Sequence, residues 1–314
     1  MPELLPTARP SLWRRLRLVV AGILMLAALL FIGHLIKPQL TLFPQAMRRI
    51  DWWLVALAVL ASVPMYYIKA AYHVRTLGRF SGKVLDRRKA VAVYLQAQVV
   101  RYLPGKIWGL LYQSGRMAGD VHPGIILTAN LWQMLITNLL AVAVVAGVLL
   151  AVAQSPWWLL LVVLGVAVVE LLHRCTVPAW LLRGRLAAGL SRLGVELPRG
   201  PLLPMARSGT AMLCAEWVFF FAVFLCLLGG QQSVADALAL GAWYGGASVI
   251  ALAAFVVPAG LAVREAIFVA APAVVSLDAA HLVLVAALAR IVFLGGEILS
   301  AVVSALLGVL PRND

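Results

Sequence analysis

The sequence predicts an all-α integral membrane protein, and three observations support that prediction. Hydrophobic residues make up 63% of the 314 positions against 12% charged, and the mean hydropathy is +0.98. One soluble core cannot hide that much apolar side chain. Apolar runs of spanning length recur along the chain between short loops rich in arginine and lysine. Two segments interrupt the pattern, Arg101-Tyr-Leu-Pro-Gly-Lys-Ile-Trp-Gly109 and Val257-Pro-Ala-Gly-Leu-Ala-Val-Arg-Glu265, and each sets helix-breaking Pro and Gly beside charge. No stretch has the composition of a soluble domain, so residues 1–314 read as a single polytopic membrane domain.

Arg14, Arg15 and Arg17 precede an apolar run from Leu18 to Ile36 that is long enough to span and has no small-residue cleavage site. A retained first helix is predicted there. The second span runs from about Asp51 to Tyr72 and contains Pro64 and Lys69; the proline kinks it, and Lys69 snorkels toward the interface. Arg75, Arg79, Lys83, Arg87, Arg88 and Lys89 follow as a loop cluster. With the amino-terminal arginines, this cluster places the amino terminus and the loop in the cytoplasm.

From Ala90 to Val100 the apolar run is about eleven residues, too short to cross roughly 30 Å of hydrocarbon. After the first break another short segment reaches Arg116 and Asp120, so the pair reads as a re-entrant hairpin entered from the cytoplasm. A long span from about Ile125 to Val152 leads out, Gln154-Ser-Pro156 reverses it, and Trp157 to Leu172 leads back. Arg174, Arg183, Arg185, Arg192, Arg199 and Arg207 mark the next loop as cytoplasmic, with Leu181 to Leu193 either a surface amphipathic helix or a solvated loop.

The span from about Met205 to Leu228 carries Glu216 in its middle. Leu238 to Val257 then runs into Pro258-Ala-Gly260, and a half helix from Arg264 to about Val275 completes a second hairpin, entered from the exterior. His281 to Leu310, containing Arg290 and Glu297, returns the chain to a cytoplasmic Arg312. The expected architecture is therefore about six transmembrane helices plus two re-entrant helical hairpins, with both termini in the cytoplasm of a cell whose inner membrane holds the protein. The hairpins enter from opposite faces, as inverted-topology repeats over about 51–173 and 205–310 would place them. Eight full spans is the alternative and keeps the same termini.

The formal charge of +14 is mostly topological and points to no nucleic acid. Cys175, Cys214 and Cys226 have no metal-like spacing, and neither do His34, His73, His122, His173 and His281. Small-residue patterns such as Gly241 to Gly245 read as close helix packing, and Trp132, Trp217 and Trp243 as packing or interface anchors. No catalytic motif of a hydrolase, phosphate-loop enzyme or metal-dependent transferase is present, so no enzyme, cofactor or metal is expected.

Topology leaves Lys106, Arg264, Glu265, Arg290, Glu216 and Glu297 unexplained, with Arg101, Arg116 and Lys69 as borderline members. A charge at mid-bilayer costs about 2.5 to 3.5 kcal/mol on insertion scales, so such groups are paired or hydrated. Cations outnumber carboxylates in this set, and helix amino termini after Gly105 and Gly260 add donors, so the guest expected in the resulting cavity is a phosphate. Arg101, Lys106, Trp108, Arg116, Arg264, Glu265 and Arg290 are the candidate substrate contacts, with Glu216 and Glu297 pairing charge or coupling a proton. The competing reading makes these residues ion pairs that lock helices, with no ligand.

Tyr102-Leu-Pro-Gly-Lys-Ile-Trp-Gly109 followed by Arg116, with Val257-Pro-Ala-Gly-Leu-Ala-Val-Arg-Glu-Ala266, resembles the flippase-like membrane domain of bacterial lysylphosphatidylglycerol synthetases and their stand-alone relatives. The likeness spans about residues 10 to 310 and rests on these two segments. It implies movement of an anionic or zwitterionic lipid, or of a polyprenyl-phosphate-linked sugar, between leaflets for envelope or glycan assembly. Partners implied are that anionic lipid or lipid-linked glycan, the surrounding membrane lipids, and a second copy or glycan-pathway enzymes. Alanine stands at position 259 where the family often has glycine, and Lys106 and Trp108 stand where relatives have glycine. A membrane-embedded transferase acting on a lipid-linked donor and a non-transporting scaffold of a glycan assembly complex are the other two readings.

Overall fold

The computed structural model describes residues 48, 50–100, 108–174, 208–229, 232–253, 264, 267–268 and 279–309. Among these residues the chain is helical with no strand. The helices are α1 (Trp52–Ser81), α2 (Arg87–Val100), α3 (Trp108–Arg116), α4 (Pro123–Ala153), α5 (Leu160–Arg174), α6 (Ser208–Leu228), α7 (Val234–Ala253) and α8 (Ala279–Val309), with a 3-10 turn at Pro156–Leu159 leading into α5.

Local chemistry sets the helix ends. The Asp51 side chain accepts from Trp53 N at 2.9 Å and caps α1, which runs through Pro64 and stops where Gly82 adopts φ 64°. His122 Nδ1 accepts from Gly124 N at the start of α4, where Pro123 occupies a first-turn position that has no intrahelical partner to lose.

Among the described residues six helices are long and apolar enough to cross a membrane, which makes this a multi-pass membrane protein. Five of them are expected spans. The run at 18–36 lies outside the described residues, and the sixth candidate is instead Val234–Ala251 within α7, expected as a hairpin arm. At 1.5 Å per residue, 20 residues span about 30 Å, so the arm before the second break reaches across the hydrocarbon unaided. α2, at 14 residues, spans only about 21 Å, in line with the short arm expected before the first break.

Large apolar side chains such as Leu57, Leu60, Leu135, Leu139, Val163 and Ile291 stand exposed on the helix surfaces, as a hydrocarbon solvent requires. Trp52, Trp53, Trp157 and Trp158 are exposed at one end of the bundle. Lys83, Arg87, Arg88, Lys89, Arg116 and Arg174 gather at the other. The two sets mark an aromatic interface and a basic one.

Helices approach closely where glycine faces a neighbour. Gly296 of α8 lies against Ser62 of α1 with no room for a Cβ, and Gly165 of α5 lies likewise against Ala143 of α4. Gly241 and Gly245 of α7 face the Phe221, Phe224 and Trp217 rings of α6 so closely that a Cβ at either would come within 3.1 Å of a ring carbon, so that pattern is helix packing, as its spacing suggested.

Candidate functional site

α2 and α3 lie side by side. Tyr112 of α3 donates to Gln96 Oε1 of α2, and their outer ends meet where Lys89 Nζ lies 2.7 Å from Asp120 Oδ2 and Lys83 Nζ donates to Asp120 O at 2.8 Å. The chain therefore leaves the basic end through α2 and comes back to it through α3. α2 is wrapped by neighbours: Tyr94 stacks on His73 of α1 at 4.4 Å, and Leu95 shares a cluster with Met65 and Tyr66 from the middle of α1. Arg101–Ile107, including Arg101 and Lys106, lies outside the described residues; Trp108 and Arg116 stand exposed at the two ends of α3.

The second excursion leaves from the opposite end. Gln232 before α7 and His281 at the start of α8 line one cleft with Asp51 and Gly229, so this excursion begins and ends at the tryptophan end. Of the second motif the structure describes Arg264, whose guanidinium lies 4.7 Å from the centre of the Tyr244 ring near the middle of α7. Trp243 Nε1 donates to Ile267 O at 3.1 Å, and Phe268 meets Tyr244 edge-on at 5.3 Å. Glu265 lies outside the described residues.

Between α7 and the cluster that α2 shares with α1, the described side chains form an aromatic seam. Phe293 stacks on Phe220 at 5.6 Å and on Tyr244 at 5.7 Å, and both phenylalanines also pack against the Met65, Tyr66 and Tyr94 cluster beside the first hairpin. The expected polar cavity draws on Arg101, Lys106 and Glu265, which lie outside the described residues; among the described ones, polar groups are held beside the seam. Arg290, Glu297, Ser300 and Ser304 recur at helical spacing along one stripe of α8, and the last three are buried. Tyr66 donates to Phe293 O at 3.0 Å and Tyr67 to Ser300 O at 3.3 Å, tying that stripe to α1.

Two sequence expectations change here. Lys69 does not snorkel away from the protein but pairs with Glu216, Nζ to Oε1 at 3.3 Å. The cross-helix pair joins the middle of α1 to the middle of α6, so the ion-pair reading holds for these two residues. Arg79, expected as a loop cation, is inside α1, buried, with its guanidinium 5.9 Å from the Trp132 ring. Helix α1 runs nine residues past the expected end at Tyr72, and that extension buries the arginine; only Arg75 of the pair is exposed.

Sequence reasoning also missed two buried hydrogen-bonded groups on successive residues of α1. His73 Nδ1 bonds Gln133 Oε1 at 2.8 Å while Gln133 Nε2 donates to Lys69 O, and Asn130 Nδ2 donates to Gln113 Oε1 at 3.2 Å nearby. Tyr72 bonds His173 Nε2 at 2.9 Å, His173 Nδ1 bonds Thr210 Oγ1 at 2.9 Å, and Thr210 donates to Glu170 Oε2 at 2.6 Å. The available signal was the polar residue in an apolar span, which is expensive without a partner. Testing histidines for metal spacing alone passed over it, and among the described residues no cluster suited to a metal occurs.

The chain matches no protein-family model and no curated protein.

Proposed function

We propose that this protein moves a phosphate-bearing amphiphile, a phospholipid or a polyprenyl-phosphate-linked sugar, between the leaflets of the cytoplasmic membrane. The observation that carries the reading is the α2–α3 pair: two helices of 14 and 9 residues, closed at the basic end by Lys89 and Asp120 and packed among helices of spanning length. Arms that short turn back inside the bilayer, and their turn holds Pro104, Gly105, Arg101 and Lys106. A non-helical turn at that depth needs protein or water around it, and a helix start after Gly105 offers free N–H groups to an anion.

The second excursion enters from the opposite end, as an inverted repeat would place it, although its first arm is long enough to cross. The likeness of both motifs to the flippase-like domain of lysylphosphatidylglycerol synthetases supports the same reading. In it, Lys106, Arg116, Arg264 and Arg290 hold phosphate while the tail stays in lipid, and Arg101, Trp108, Glu265 and Glu297 shape and orient that site.

The test is headgroup movement in proteoliposomes containing a labelled phosphatidylglycerol. Arg264→Ala and Lys106→Ala are expected to slow it by at least about tenfold, the loss of one charge-assisted contact of roughly 1.5–3 kcal/mol. Unchanged rates in folded variants would sink the assignment. Consumption of the lipid, seen by mass spectrometry, would mean a transferase; full activity after removal of Arg264 and Arg290 together would mean a scaffold.

A further inference from the structure

We propose that Tyr72, His173, Thr210 and Glu170 form a proton-exit wire from the middle of the bundle to its basic surface. It deepens the translocase reading by giving a proton gradient a route through which to drive it, and it rests on that reading only for the cargo.

The hydrogen-bond inventory fixes the wire's direction. Thr210 has one hydroxyl proton and gives it to the Glu170 carboxylate at 2.6 Å. His173 Nδ1 must then be the donor in its 2.9 Å contact with Thr210 Oγ1, so Nε2 is the bare nitrogen that accepts from Tyr72 at 2.9 Å. All three bonds point toward Glu170. Tyr72, His173 and Thr210 are buried, whereas Glu170 is part-exposed and held by Arg174, 2.7 Å away and 53% exposed. The wire ends where solvent begins.

The groups facing the imidazole are Tyr72 and Arg79 from α1, Glu170 and Arg174 from its own helix, and Thr210 and, beyond Tyr72, Glu216 from α6. At the inner end, Lys69 precedes Tyr72 by one turn of α1, and its partner Glu216 is within electrostatic reach of Tyr72. Glu216 Oε2 is buried without a hydrogen-bond partner, so a proton bound there displaces no existing bond.

In one transfer Glu216 gives up its proton and ends as the carboxylate paired with Lys69, and an O–H bond forms on Tyr72 as the Tyr72 proton passes to His173 Nε2. The Nδ1 proton passes to Thr210, and the Thr210 proton to Glu170 and then to solvent. Tyr72, His173 and Thr210 end neutral, and Glu170 returns to the carboxylate it began as. Rotation of the hydroxyls and a flip of the imidazole reset the chain. Helix locking would need the same bonds but no exchangeable ring.

His173→Gln separates the two roles, because a glutamine accepts from Tyr72 through Oε1 and donates to Thr210 through Nε2 but passes no proton. The full-length protein is placed in vesicles of phosphatidylethanolamine and phosphatidylglycerol with a pH-sensitive dye inside, and acid is added outside. Wild type is expected to acidify the lumen faster than protein-free vesicles. His173→Gln and Tyr72→Phe are expected to lose roughly 100-fold of that protein-dependent flux, the low end of what a positioned proton-transfer group contributes. Wild-type flux equal to protein-free vesicles, or His173→Gln flux equal to wild type, overturns the wire. Movement of labelled phosphatidylglycerol is read in the same vesicles: proton flux without lipid movement fails the translocase reading alone, and lipid movement without proton flux fails the wire alone.

Discussion

The excursion that begins at α2 and the one that begins at α7 each leave and return on one side of the bundle, the first at the basic end and the second at the tryptophan end. Their first arms differ: α2 has 14 residues and α7 has 20. Both are followed by a Pro-Gly segment with charge, yet only α2 is too short to cross. Similar motifs therefore follow helices of different reach, about 21 Å for α2 and about 30 Å for α7.

The sharpest way to break this comparison is to ask from which side each turn is reached. In a background with Cys175, Cys214 and Cys226 replaced by serine, Gly260→Cys is expected to react with an impermeant maleimide added to the basic side. Gly105→Cys is expected not to react from the tryptophan side. The contrast is all or none, since about 30 Å of helix separates the start of α7 from its end and about 21 Å lies under the first turn. Gly260→Cys reacting only from the tryptophan side would restore two equal re-entrant hairpins.

The middle of the bundle gives the next largest effect. Lys69→Ala leaves Glu216 in α6 without its cation, and the pair joins the two helices that cross between the excursions. Breaking a fully buried pair costs about 3–5 kcal/mol; Lys69 is 30% exposed, so a loss of roughly 1–3 kcal/mol is expected. Thermal unfolding in detergent measures it, and replacing Lys69 and Glu216 together with methionines is expected to restore most of the loss. If the single variant unfolds like wild type, the pair is not what ties α1 to α6.

Much of the fold was legible because its signals are local. The apolar runs place the starts of α1 and α4 and the ends of α4 and α6 within two residues, and the shortness of 90–100 announced a helix that could not cross. The site was less legible because its partners are distant in sequence. Lys69 finds Glu216 across 147 positions, and Tyr72 finds His173 across 101; nothing near either residue announces the other. Arg79 was misread for a different reason. Its neighbours are basic, so charge counting put it in a loop, while the apolar residues Val74, Leu77 and Phe80 around it kept α1 going to Ser81. The Pro-Gly segments show charge and helix-breaking residue types but not what faces them, and the aromatic seam of Phe220, Phe293 and Tyr244 comes from three separate helices.

The smallest expected effect tests the closure of the first excursion at its base. Asp120 accepts from Lys83 through its backbone and pairs with Lys89 through its side chain, but the latter two groups are 46% and 44% exposed. Asp120→Asn keeps the backbone bond and removes the ion pair, which at such exposure contributes about 0.2–1 kcal/mol and less at high salt. Global unfolding should barely move. What should change is local: α3 has nine residues, and of these only Gly109 and Gln113 are buried, so it depends on its ends and on Tyr112 and Gln113 for attachment. Hydrogen exchange at 108–116 is expected to rise by about 1.5- to 5-fold, following the 0.2–1 kcal/mol lost, while exchange in α7 stays as in wild type. Equal changes in both would mean that the two excursions open together, and that the difference in arm length does not separate their dynamics.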